Sequence, residues 1–198
     1  MKRPLLLLFI CLFFPLLLHA QDLLTLPEIN AERLRLNRDG MLVLGAWGIG
    51  NMGVSGWRMT QTKGTEKYFH QMNVFWNVVN LGLAAGGYFS AIGADPNSFS
   101  ATQTVNEYHK LEKILLFNAG LDVGYVMTGF FLRERARNAS DKWRPRLRGY
   151  GNSLLLQGGF LFAFDLAFYF LLHQQATDLL GPWQLSMSGT AMRVCYRF

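Results

Sequence analysis

The chain has 198 residues and a net charge of +6, with 51% hydrophobic and only 16% charged residues. A soluble globular domain carries about 25% charged residues, so the composition indicates a membrane protein. The sequence contains no zinc-protease, serine-hydrolase or phosphate-loop motif. We therefore expect a non-enzymatic protein without a cofactor.

The first twenty residues, MKRPLLLLFICLFFPLLLHA, have a basic start, an apolar middle and Ala20 before Gln21. This pattern predicts a secretory signal peptide over residues 1–20, with retention as a fifth span as the alternative. Cleavage would remove Cys11 and leave Cys195, which excludes an intramolecular disulfide and a cysteine metal cluster.

Four apolar segments follow, each near the ~20 residues that a helix needs to cross the hydrocarbon core. We expect spans at about 41–57, 70–92, 112–132 and 150–173, joined by polar loops. The predicted fold is an all-α membrane protein, a four-transmembrane-helix bundle within residues 21–181.

Charge in the predicted loops is asymmetric. The loops at 58–67 and 133–148 are basic, whereas 21–39 and 93–111 are not. The positive-inside rule places the basic loops in the cytoplasm and both ends of the mature chain in the periplasm of an inner membrane. Seven residues of the second basic loop are expected to fix topology and contact anionic lipid rather than nucleic acid: Arg133, Arg135, Arg137, Lys142, Arg144, Arg146 and Arg148.

Residues 41–92 and 114–173 share a weak pattern, with SGW at 55–57 matching TGF at 128–130. This predicts two hairpins arranged as parallel repeats. The tail at 182–198 alternates apolar and polar residues, as a strand does. A strand-like tail leaves outer-membrane residence as an alternative, although the solid apolar runs of the body disfavour it.

Every predicted span contributes polar groups. Asn73, Asn77 and Asn80 lie at i, i+4 and i+7, so they form one stripe on a helix that His70 begins. Lipid offers these side chains no hydrogen-bond partner, so they must meet one another or line a wet cavity. The predicted polar interior comprises Asn51, His70, Asn73, Asn77, Asn80, Asn118, Asp122, Asn152, Gln157 and Asp165.

The aspartates Asp122 and Asp165 have no lysine or arginine within any span to pair with them. A carboxylate at mid-membrane costs about 2.5 to 3.5 kcal/mol on insertion scales, so each must hold a proton, bind a cation or contact water. His70 and His173 fall at opposite membrane edges and cannot share a metal. His109 and His173 lie on the same side, where we expect interfacial roles.

Glycines at G-x-x-x-G spacing, in GLAAG (82–86) and GLDVG (120–124), allow close helix approach and offer a face for a homodimer. The strings YFHQMNVFWNVVN (68–80) and RGYGNSLLLQGGFLFAFD (148–165) resemble an uncharacterised bacterial family of small, signal-peptide-bearing integral membrane proteins, a domain of unknown function. The resemblance implies the architecture and no activity.

Two functions are expected from these residues. The first is a polar-lined bundle that binds a small ligand, a lipid or a protein partner. The alternative is a proton- or cation-coupled transporter or channel that uses Asp122 and Asp165.

Overall fold

Four long helices form the body of the chain in this computed structural model, which describes residues 24–180, 183–188 and 191–196. They are α1 (Leu26–Gln61), α2 (Gly64–Gly93), α3 (Ala101–Arg135) and α4 (Arg144–Leu180). Single 3₁₀ turns occur at Pro96–Ser98 and Ala136–Asn138. The predicted signal peptide lies outside the described residues.

Much of the chain predicted to form polar loops is helical. At the start of α1, the Glu28 carboxylate accepts hydrogen bonds from the Thr25 backbone N–H (2.6 Å) and hydroxyl (2.8 Å). Pro27 occupies the first turn, where its missing N–H costs nothing. At the start of α3, Ser100 and Gln103 form a reciprocal capping box. These caps begin both helices well before the apolar segments, so the prediction of loops over most of 21–39 and 93–111 was wrong.

The helices form two antiparallel hairpins. Helix α1 packs along α2, α3 packs along α4, and α2 packs against α4 to join the pairs. The α1–α2 connection is only two residues long, and Gly64 follows it with φ of +58°, which favours glycine. The pairing is compatible with hairpin repeats, which stay a prediction.

Glycines set the closest approaches between the helices. A Cβ on Gly149 would lie 2.5 Å from the Thr65 carbonyl oxygen, so α4 meets the start of α2 backbone to backbone. A Cβ on Gly151 would lie 2.7 Å from the Gly129 carbonyl oxygen on α3. By contrast, the four glycines of the two G-x-x-x-G motifs have open space where a Cβ would stand: Gly82, Gly86, Gly120 and Gly124. These motifs therefore do not pack the four helices together.

The helices bury polar side chains and expose apolar ones. Buried polar residues within the predicted spans are Ser55, His70, Asn73, Asn77, Asn80, Asp122, Ser153, Gln157 and Asp165. Large apolar side chains point outward along the same helices, among them Leu42, Ile49, Val54, Phe75, Val78, Leu83, Phe89, Phe117, Phe130, Phe162 and Phe170. A soluble domain shows the opposite distribution.

Among the described residues, two helical stretches are long and apolar enough to cross a membrane, Ala101–Asn138 and Arg144–Leu180. Helices α1 and α2 fall below that measure because glycines and amides lower their mean hydropathy. Four crossings therefore stay a prediction.

The tail contains two strands, β1 (Trp183–Ser188) and β2 (Ala191–Tyr196). They pair antiparallel in a register that sets Trp183 opposite Tyr196 and Ser188 opposite Ala191. Residues 189–190, between the two strands in the sequence, lie outside the described residues.

Candidate functional site

A cluster of amide and hydroxyl side chains is centred on Asn73 of α2. The Asn73 Oδ1 accepts hydrogen bonds from Ser153 Oγ (2.7 Å) and from Gln157 Nε2 (3.0 Å), both on α4. Its Nδ2 donates to Ser55 Oγ of α1 at 3.4 Å. Asn73 thus joins three helices through one side chain.

Gln157 carries the cluster to a second point on α1. Its Oε1 accepts a hydrogen bond from the indole Nε1 of Trp47 at 3.0 Å, and its Nε2 lies 3.5 Å from Asn51 Oδ1. The Trp47 ring also stacks on Phe160 of α4, with 3.7 Å between the ring centroids. One glutamine therefore ties α1, α2 and α4 together near the centre of the bundle.

The remaining asparagines of the stripe bond along α2 itself. Asn77 Nδ2 donates to the Asn73 carbonyl oxygen (2.8 Å), and Asn80 Nδ2 donates to Asn77 Oδ1 (3.2 Å). At the other end of the stripe, His70 Nδ1 lies 3.2 Å from Ser55 Oγ. The stripe is a continuous hydrogen-bonded row in which the exposed fractions of Asn73, Asn77 and Asn80 are 2% or less.

Two of the predicted interior amides do not join this cluster. Asn118 and Asn152 are half-buried, and neither makes a side-chain hydrogen bond to the described residues. Conversely, sequence reasoning missed Ser55, Ser153 and Trp47. Spacing offered a signal for the serines, because Ser55 follows Asn51 by four residues and Ser153 precedes Gln157 by four.

The second polar feature is a pair of carboxyl groups. Asp122 on α3 and Asp165 on α4 are 3% and 6% exposed, and their side chains interact directly across the α3–α4 interface. Asp122 Oδ2 is buried and finds no hydrogen-bond partner among the described residues. None of the ion pairs in the described part of the chain includes either aspartate.

The backbone around the pair permits this contact. Gly158, two turns before Asp165 on α4, lies where a Cβ would be 3.1 Å from the Asp122 carbonyl oxygen. The missing side chain lets the helices close at this level. Two adjacent carboxylates in a water-poor interior repel each other and lose their hydration, so a shared proton or a bound cation would relieve both costs.

The end of the bundle remote from the basic loops holds further polar contacts. The Glu112 carboxylate on α3 lies 3.1 Å from Nδ1 of His109 and 2.8 Å from Nδ1 of His173. The structure therefore brings together the two histidines that the sequence placed on one side. In the part of the chain that the structure describes, no group of three or more histidine, cysteine, aspartate or glutamate side chains is arranged to hold a metal.

Arg33 of α1 is also at this end and is 3% exposed. It donates to Asn30 Oδ1 at 3.2 Å and lies 4.8 Å from the Phe99 ring centroid. Desolvation by burial lowers the pKa of its guanidinium. This arginine ties the extended start of α1 to the turn before α3.

The predicted topology residues are all at the opposite end, which we call the basic end. Arg133 and Arg135 end α3, Arg137 lies in the 3₁₀ turn, and Lys142 precedes α4. Arg144, Arg146 and Arg148 belong to the first turns of α4 rather than to a loop.

A family model described as a family of unknown function, DUF6992, matches residues 43–166. The match contains both strings on which the resemblance was based, as well as the Asn73 cluster and the carboxyl pair. No curated protein and no solved structure matches the chain. The resemblance to a family of unknown function is confirmed, while bacterial origin and a signal peptide stay predictions.

Proposed function

The chain belongs to DUF6992, a family of unknown function, and we propose that it is a four-span integral membrane protein whose carboxyl pair binds and releases a proton. The pair, Asp122 and Asp165, would serve proton-coupled transport. The single observation that carries the proposal is that the helix packing buries both carboxyl groups, 3% and 6% exposed, without an ion pair among the described residues, although 43 positions separate them in the sequence.

The distribution of side chains supports a membrane location for all four helices. Their outward faces are apolar, including Leu42 and Ile49 on α1 and Phe75 and Leu83 on α2. Their amides face inward and bond to one another, which is the arrangement that lipid requires. Helices of 30 to 37 residues exceed the roughly 20 needed, so each can cross the core and extend beyond it.

Charge supports an orientation. The basic end would lie in the cytoplasm, and the opposite end, with the tail, would lie in the periplasm of an inner membrane. Exposed Phe130, Phe131 and Trp143 near the basic end fit an aromatic belt at the cytoplasmic interface.

The Asn73 cluster supports a packing role more than a ligand site. The Oδ1 and Nδ2 atoms of Asn73 and both ends of the Gln157 amide already have partners within the chain. A ligand would have to displace these bonds. Ligand binding through the amides, the other function expected from the sequence, is therefore less well supported than proton binding by the carboxyl pair.

A homodimer would complement the proposal, because four spans are few for an alternating-access carrier. Gly82 and Gly86 on α2 have open space around them, which leaves a smooth face free for a second copy.

Infrared difference spectroscopy of the protein in lipid vesicles tests the pair directly. We expect a protonated-carboxyl band at about pH 7 that disappears at about pH 10, since deprotonation removes the C=O stretch of the acid. The double variant Asp122→Asn/Asp165→Asn should abolish this change, because each single variant leaves one buried carboxyl that can still hold a proton. Asp178→Asn, which alters an exposed aspartate of α4, should preserve it. A titrating band that survives in the double variant, or a wild type without one, would overturn the proposal.

A further inference from the structure

A cavity of about 610 Å³ opens at the basic end, between the end of α3 and the start of α4. Its lining is Phe130, Arg133, Glu134, Ala136, Arg137, Arg144 and Arg148. Four guanidinium groups therefore surround one space together with a single carboxylate.

Two of the four arginines have no acidic partner. Arg137 pairs with Glu134 at 3.1 Å, and Arg144 pairs with Asp141 at 2.9 Å. Arg133 and Arg148 form no ion pair with any of the described residues. The cavity thus contains uncompensated positive charge.

The backbone holds one of these free arginines in place. A Cβ on Gly151 would lie 2.9 Å from Arg133 Cγ, so the stem of Arg133 crosses α4 where that helix has no side chain. This contact directs Arg133 of α3 toward the start of α4. Arg148 lies there, one turn before Gly151. Packing, and not only sequence proximity, brings arginines of the two helices together.

The start of α4 adds to the positive potential. Its first turn contains Arg144 and Arg146 and no acidic residue. Helix starts carry partial positive charge and favour acidic residues, so arginines there are unfavourable until an anion neutralises them. A bound anion would interact with the arginines and with the helix start together.

We propose that this cavity binds a phosphate-ester anion, the headgroup of an anionic phospholipid of the adjacent leaflet. Guanidinium groups match phosphate oxygens in paired hydrogen bonds, and four of them suit a phosphodiester better than a lone carboxylate. Phe130 lines the cavity and is 54% exposed, so it could contact the acyl chain of a lipid bound there. The assignment of the anion to a lipid rests on the proposed membrane placement of the chain. The binding of a phosphate group in this cavity does not.

The site lies far from the carboxyl pair along α3, with Arg133 eleven residues from Asp122, or about 16 Å at 1.5 Å per residue. The two proposals can therefore fail separately. Asp122→Asn should leave binding at the cavity unchanged.

Native mass spectrometry of the full chain in detergent tests the site. Phosphatidylglycerol, phosphatidylcholine and inorganic phosphate would be titrated separately. We expect phosphatidylglycerol to bind wild type at least about tenfold more tightly than phosphatidylcholine does. The double variant Arg133→Gln/Arg148→Gln should weaken that binding about tenfold or more.

The matched control is Arg135→Gln/Lys142→Gln, which removes the same charge from the same end but lies outside the lining. It should bind within about twofold of wild type, because screening weakens charges outside the cavity. Circular dichroism would verify that both double variants fold.

Each outcome decides the proposal. Equal loss in both double variants would overturn the cavity in favour of diffuse attraction. Equal binding of the two lipids without binding of inorganic phosphate would overturn the anion site. Inorganic phosphate that binds wild type and is lost in the Arg133/Arg148 variant, without any preference for phosphatidylglycerol, would keep the anion site and overturn the lipid source. Absence of binding by all three probes would overturn both.

Discussion

At the residue scale, three asparagines of α2 form a buried row that Asn73 links to α1 and α4. The i, i+4, i+7 spacing of Asn73, Asn77 and Asn80 placed them on one face, and all three are buried. Three other amides predicted to lie in the interior are only half-buried: Asn51, Asn118 and Asn152. Helical periodicity fixes a face relative to its own helix, but only packing decides which face turns inward.

Asn73 should be the most sensitive amide of the bundle. Asn73→Ala would remove the acceptor that Ser153 Oγ and Gln157 Nε2 share, and would leave Gln157 Nε2 only its 3.5 Å contact with Asn51. We expect a loss of about 1 to 3 kcal/mol in the free energy of unfolding. Titration with denaturing detergent in mixed micelles would measure it.

The control for this change is Asn118→Ala, which removes the same amide from a side chain that makes no hydrogen bond to the described residues. It should change the free energy of unfolding by less than about 0.5 kcal/mol. Equal losses in the two variants would mean that the Asn73 cluster contributes no more than any other amide.

At the element scale, the apolar segments were correctly assigned to helices, yet the helices are longer than those segments. Capping residues outside the apolar runs, such as Thr25 with Glu28, decide where α1 begins. A hydropathy pattern detects only the apolar part of a helix, so it does not show polar extensions at the helix ends. Glycine spacing was also ambiguous, because G-x-x-x-G motifs face outward here while Gly149 and Gly151 make the close contacts.

Gly149 should not tolerate a methyl group. Its Cβ would lie 2.5 Å from the Thr65 carbonyl oxygen and 2.7 Å from Tyr68 Cβ, so α4 would have to move away from α2. We expect Gly149→Ala to destabilise the fold by about 1 to 3 kcal/mol. Thermal unfolding followed by circular dichroism would report it.

Gly159 on the same helix is the matched control, since open space surrounds the position of its Cβ. Gly159→Ala should be neutral or stabilising by up to about 1 kcal/mol, because alanine favours helix. A Gly149→Ala protein as stable as Gly159→Ala would contradict the close α2–α4 contact.

The cap at the start of α1 should make that end sensitive to pH. Hydrogen bonds from the Thr25 backbone and side chain lower the pKa of Glu28 below its ordinary value of 4.5. A lowered pKa in the folded state means that the cap contributes stability above pH 4.5, which is lost as the pH falls through the folded-state pKa. Hydrogen exchange of the first α1 amides should show wild type better protected than Glu28→Gln at about pH 6, with a difference that shrinks as the pH falls below 4.5.

Glu32→Gln offers a control for this effect, because Glu32 lies one turn later and pairs with Arg35 instead of the cap. It should leave protection of the first turn near the wild-type level at both pH values. Protection in the Glu28→Gln protein equal to wild type at about pH 6 would contradict the capping role.

At the scale of the whole molecule, two hairpins join through α2 and α4, with polar groups inside and apolar groups outside. The sequence predicted four helices and the asymmetry of charge between the two ends, because hydropathy and charge patterns extend over whole segments. It could not predict that Asp122 and Asp165 touch. Their contact depends on how α3 and α4 align, and small residues such as Gly158 set that alignment.

Proton flux into vesicles tests the central claim most directly. Purified protein would be reconstituted with an internal pH-sensitive dye, and a potassium potential would drive proton entry. The account predicts flux with wild type and with Asp178→Asn, and its loss in Asp122→Asn and Asp165→Asn that fold normally. Flux that is equal in all four proteins, or absent from wild type, would contradict proton-coupled transport through the carboxyl pair.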